Sequence, residues 1–184
     1  MEQCFEHDWN HGAYKRFIKD PKDLNLVRKF LKPRFKKIKD FYKHYSSFSS
    51  ANSFGIGPNL MIDLFTKMDA LDNKTLNSAA LGIEMTKTNA TAALAKEKDN
   101  NLSNLVCRHE FLELVVRCAE CKFLITKKEK TYSDSLMRFY NAFCDSPFDG
   151  YDSQKFREEG GYWSEEVEYV FENYRTLVNY LFKT

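Results

Sequence analysis

Asp99, Asn101, Ser103, the backbone carbonyl of Leu105, and Glu110 stand at positions 1, 3, 5, 7 and 12 of a twelve-residue window. All five supply oxygen. A hard divalent cation wants six or seven oxygens, and a loop of this length wraps them around the ion before a helix delivers a bidentate glutamate. Val106 adds the apolar residue expected at position 8, and Asn104 stands where such a loop needs a sharp turn. Asparagine is, after glycine, a residue that tolerates the left-handed backbone conformation. Only Asp99 and Glu110 are charged, and Cys107 occupies position 9, so any calcium held here is expected to be held weakly.

A second chemistry lies in a basic run. Arg28, Lys29, Lys32, Arg34, Lys36, Lys37, Lys39 and Lys43 are set against a single local acid, Asp40, with aromatic residues between them. Such a segment suits an acidic surface, whether a protein tail, nucleic acid or anionic lipid. It equally suits a solvated helix face whose aromatics point inward. Softer metal chemistry has two loose candidates. Cys118 and Cys121 form a C-x-x-C with Cys107 and His109 upstream, and Cys4, His7 and His11 cluster near the start. The first pair falls within a helical pattern, whereas zinc sites present C-x-x-C from a turn. No phosphate loop, nucleophile elbow or H-E-x-x-H motif is present. Glu113 and Glu120 share a helix face, but Arg117 and Lys122 are expected to pair with them. The chain is therefore read as non-catalytic.

These residues need helices to place them. Leu24, Val27, Leu31, Phe35, Ile38, Tyr42 and Tyr45 recur every three or four residues, predicting a helix over 22–45 that Pro33 kinks or splits. A Ser- and Gly-rich loop follows, then a short helix over 58–68 and a polar break. Residues 78–98 are rich in Ala and Lys, predicting a weaker helix or an irregular stretch. Residues 107–126 are apolar almost all round, as expected of a central buried helix. Another helix is expected over 133–144. Ser164 is a good N-cap for a last one, whose stripe is Val167, Val170, Phe171, Tyr174, Leu177, Val178 and Leu181. Tyr162, Trp163, Tyr169 and Tyr180 lie beyond that stripe and are candidates for docking a partner.

The window at 99–110, followed by the R-x-E-F-L start of the next helix, resembles the EF-hand superfamily. The segment MIDLFTKMDALDNKTLNS is similar to a degenerate first hand, with Ile83 where a metal ligand would stand counting from Asp72. The layout over about 55–125 resembles the divergent EF-hand-like domains of microtubule-associated and ciliary proteins, such as the tubulin polymerization-promoting protein family. That resemblance implies a cytoskeletal scaffold that binds tubulin or another axonemal component, with no cofactor or weakly bound calcium.

Composition sets the outer limits. The 184 residues carry 16 Phe and 10 Tyr, ample for a core, with 7 Gly and 4 Pro, too few for a turn-rich β protein. Net charge is only +2, so any pull toward a charged partner is local. No run is long and apolar enough for a membrane span, and no secretory leader is visible in the first residues. Five cysteines without framework spacing suit reduced thiols in the cytoplasm. The expectation is an all-α chain of six to eight helices around an EF-hand-like pair, divided as 1–50, 51–126 and 127–184. It would act as an interaction protein or a subunit of a larger assembly, with calcium sensing and nucleic-acid binding as alternatives.

Overall fold

The computed structural model describes residues 1–49, 55–94, 105–161 and 164–181, and these are mostly helical. The all-α expectation holds. Two compact units are present, Met1–Asp149 and Gly150–Thr184.

In the first unit, helix α1 (Glu2–His11) and the short α2 (Tyr14–Phe17) form in the polar and aromatic segment that precedes the first periodic stripe. Their folding follows from tertiary burial rather than periodicity. Phe5, Trp9 and Tyr14 are buried, and the Trp9 and Tyr14 rings stack at 4.1 Å. Helix α3 (Pro21–Leu31) opens on Pro21 with Asp20 as cap, its carboxylate accepting the Lys22 amide at 2.9 Å. Pro33 cannot supply an amide hydrogen, so residues 32–34 tighten into a 3₁₀ turn. The chain then re-enters α-helix as α4 (Phe35–Ser46). Val27, Leu31, Phe35, Ile38 and Tyr42 of the expected stripe are buried along this pair, Leu24 and Tyr45 at its ends are half-buried, and Phe41, outside the stripe, is buried as well.

Helices α5 (Pro58–Lys67) and α6 (Ser78–Leu94) follow. The Ala-rich segment is thus helical to residue 94. Helix α7 (Arg108–Ala119) is central: residues 110 to 119 are buried without exception, and α1, α4, α6 and α8 (Tyr132–Phe139) pack around it. It continues through a π-turn over residues 120–124, and α8 does the same over 140–144. Asp23 of α3 reaches across to cap α8, accepting the amides of Tyr132 at 2.7 Å and Ser133 at 2.9 Å.

A single backbone pairing outside the helices matters for the site. Ile56 and Val106 form an antiparallel bridge, with N–H···O distances of 3.0 and 2.9 Å. Tyr42 of α4 donates its hydroxyl to the same Val106 carbonyl at 3.0 Å. Gly55 is required here: a Cβ on it would stand 2.7 Å from the Leu105 Cβ. The bridge ties the segment ahead of α5 to the segment ahead of α7.

The second unit contains helices α9 (Ser153–Glu159) and α10 (Glu165–Leu181). Gly161, at φ +68°, turns the chain between them. No residue of α10 is buried.

Candidate functional site

The basic segment lies along α3 and α4, and most of its charge is already matched inside the molecule. Arg28 pairs with Glu6, and the Lys32 ammonium lies 2.6 Å from Glu2 and 3.6 Å from Glu6. The Lys37 ammonium is 2.6 Å from Asp149 and 3.8 Å from Asp145. These hydrogen-bonded partners raise the Lys32 and Lys37 pKa values and lower that of Glu2. The Arg34 guanidinium carbon stands over the Phe30 ring, 3.8 Å from its centroid, and the side chain donates to the Phe30 carbonyl. Lys36 and Lys39 share Asp40, at 3.1 and 3.7 Å. The local count of one acid therefore misstates the neighbourhood, because α1 and the 145–149 turn bring four more carboxylates.

Lys29 and Lys43 are different. Both are exposed, and among the described residues neither has an ion pair. With Lys22 and Lys36 they recur at seven-residue steps, two helical turns apart, and all four are exposed.

At the candidate cation loop, Asp99, Asn101 and Ser103 lie outside the described residues. Leu105 is buried beside the Ile56–Val106 bridge. Glu110 is 1% exposed, and its carboxylate accepts the Cys107 amide at 2.7 Å, closing the first turn of α7 as a cap. Burial, helped by Glu110, pushes the Cys107 thiol up to about 11, so it is neither a thiolate nor an oxygen ligand. The bridge does not involve the 69–77 segment read as a first hand. There Asp72 folds its own turn, accepting from the Lys74 and Thr75 amides and the Thr75 hydroxyl, and meets Lys122 at 2.9 Å. Burial alone would raise the Asp72 pKa, but these donors hold it far below the usual carboxylate range.

The expected Glu113–Arg117 pair forms at 2.7 Å. The Glu120–Lys122 pair does not. Lys122 donates to the Ala70 carbonyl at 2.6 Å as well as meeting Asp72, and Glu120 accepts the Tyr132 hydroxyl at 2.6 Å. Cys118 is buried and Cys121 donates to the Thr75 carbonyl, and none of the five cysteines forms a disulfide. His7 and His11 stack at 4.1 Å, with His109 5.7 Å from His11. Among the described residues no group of three or more His, Cys, Asp or Glu is placed to hold a metal ion. A cleft of about 300 Å³ is lined by Trp9, His11, Tyr14, Lys15, Arg16 and Leu24, without a carboxylate or thiol. Of the docking aromatics, Tyr169 and Tyr180 are 70% and 71% exposed, while Tyr162 and Trp163 lie outside the described residues.

No described helix is long and apolar enough to cross a membrane. Compared with known proteins, the chain matches no family model, no curated protein and no solved structure.

The residues that sequence reading missed are Glu2, Glu6, Asp145 and Asp149. Glu2 and Glu6 lie 30 and 22 positions from their partners Lys32 and Arg28. No local pattern links charges at such separations. Asp8, buried and bidentate on Arg108 at 2.6 and 2.9 Å, was equally invisible.

Proposed function

We propose that this chain is a non-catalytic interaction module that docks an acidic protein surface along the exposed lysines of α3 and α4. The observation carrying this reading is the contrast within one basic segment. Arg28, Lys32, Arg34 and Lys37 are engaged by the protein itself, whereas Lys29 and Lys43 are exposed and have no ion pair among the described residues. Solvent-facing cations of this kind steer and orient an acidic partner more than they stabilise their own fold. The resemblance in layout to EF-hand-like cytoskeletal and ciliary domains makes an acidic tubulin tail, in the cytoplasm or an axoneme, the partner of choice. Nucleic acid is a poorer fit, because neutralised cations interrupt the basic band.

A second reading is favoured by the Ile56–Val106 bridge. Two paired helix–loop–helix units would be α4–loop–α5 and α6–loop–α7, joined at the residues where such loops meet. In this pairing the first loop, residues 49–60, contains no Asp or Glu. Calcium would fall to 99–110 alone, and Glu110 would have to leave its cap to bind it.

Both readings meet in one titration of an acidic tubulin-tail peptide, followed by anisotropy. Peptide binding should weaken as salt rises, and Lys29→Glu/Lys43→Glu should weaken it by about tenfold or more. Binding that ignores the double reversal sinks the docking proposal. Calcium that changes binding in the wild type, and not in Glu110→Gln, favours the sensor.

A further inference from the structure

We infer that the first turns of α1 act as a built-in competitor for the acidic partner, so that only a segment with several closely spaced carboxylates engages the whole basic row. The inference rests on the docking role assigned above to α3 and α4.

Glu2 and Glu6 sit on Arg28 and Lys32 as a partner's carboxylates would. Asp149 treats Lys37 the same way. These pairs lie at the surface: the Glu2 side chain is 73% exposed, and those of Arg28 and Lys32 are 41% and 42% exposed. Ion pairs in such positions are individually weak. A partner carboxylate can therefore replace Glu2 or Glu6 without unfolding anything. The rest of α1 is held independently. Phe5 and Trp9 are buried against Phe35 and Tyr14, and the buried Asp8 grips Arg108 through two hydrogen bonds. Exchange of carboxylates, rather than undocking of α1, is the step required.

The arrangement sets a threshold. An isolated carboxylate meets cations already satisfied by intramolecular acids, which hold a high effective concentration. Lys29 and Lys43, exposed and without an ion pair among the described residues, offer anchors at the two ends. They are fourteen positions apart across α3, the 3₁₀ turn and α4, a path along the chain of about 21 Å at ~1.5 Å per helical residue. An extended peptide covers that distance in about six or seven residues. The partner fitted by this spacing is an acidic run of at least that length, able to hold Lys29 and Lys43 while displacing Glu2 from Lys32 between them and Glu6 from Arg28 beside Lys29.

The test uses the full chain and a fluorescently labelled octaglutamate peptide, with anisotropy as the readout. Glu2→Gln/Glu6→Gln removes the competitor. Glu168→Gln/Glu172→Gln, on α10 in the second unit, makes the same change in net charge elsewhere. The competitor variant should bind about three- to tenfold tighter than the wild type and than the α10 control. Equal affinity of the two double variants overturns the inference and leaves the docking role standing. If neither wild type nor competitor variant binds the peptide, the docking role itself fails and the inference with it. Should the double variant melt early, Glu2→Gln alone, at the most exposed of these acids, repeats the comparison with a smaller expected gain.

Discussion

Partly and fully buried polar side chains set the pH response and the helix caps of the first unit. His109, at the contact of α1 with α7, has its pKa lowered. Burial is the main cause and the nearby His11 adds to it, against an upward pull from Glu110 and Asp8. In the unfolded chain the same imidazole takes a proton near its ordinary value of about 6.5. Between that value and the lower folded one, the unfolded state binds more protons than the folded state. Stability therefore rises with pH through this window and is lost as pH falls below about 6.5. Replacing His109 by Gln should flatten that slope. Melting temperatures of wild type and variant at about pH 7 and about pH 5.5 will check it: the wild type should lose more on acidification than the variant. Glu110 shows how a residue type can be legible while its present role is not. Its spacing from Asp99 suggests a cation ligand, yet its carboxylate closes the first turn of α7. Position 12 of a cation loop and position N3 of a helix are the same residue here, and a one-dimensional pattern cannot say which demand is met.

At the scale of elements, helices with long apolar periodicity were legible and those made by tertiary contact were not. The buried stripe from Val27 to Tyr42, the break at Pro33 and the all-round apolar character of α7 all emerge from spacing. Helix α1 does not, because only Phe5, Asp8 and Trp9 of its ten residues are buried, and one of those is a carboxylate. The partnership of Lys122 with Asp72 rather than Glu120 depends on the π-turn over 120–124 and on a loop fifty residues away. Similarly, Asp23 reads as an acidic residue in the first turn of α3, favourable to that helix. In the structure it also caps α8 through two amides more than a hundred residues distant. Asp23→Ala should accordingly cost more than an ordinary first-turn acid, about 1–2 kcal/mol. Denaturant unfolding of the variant measures this directly. A loss of only a few tenths would mean that the cap on α8 is supplied sufficiently by Thr131, whose hydroxyl accepts the Asp134 amide.

Across the whole molecule, charge is organised by exchange between distant segments. The formal balance of +2 conceals a basic helix pair partly neutralised by α1 and by the turn that ends the first unit. Composition predicted a local rather than global pull, and that follows from the near-cancellation of signs. Which lysines stay open to a partner could not be read from sequence, since Lys29 and Lys32 look alike until Glu2 is placed. The second unit adds an α10 stripe whose Val170, Phe171, Tyr174 and Leu177 are all more than half exposed. An amide-resolved NMR titration of the full chain with an octaglutamate peptide locates the docking face residue by residue. Docking along the basic helices should put the largest shifts on α3 and α4 around Lys29, Lys36 and Lys43, with smaller ones at Glu2 and Glu6 as their carboxylates are displaced. Shifts confined to α10 or to other surfaces, or no shifts at low salt, would contradict it.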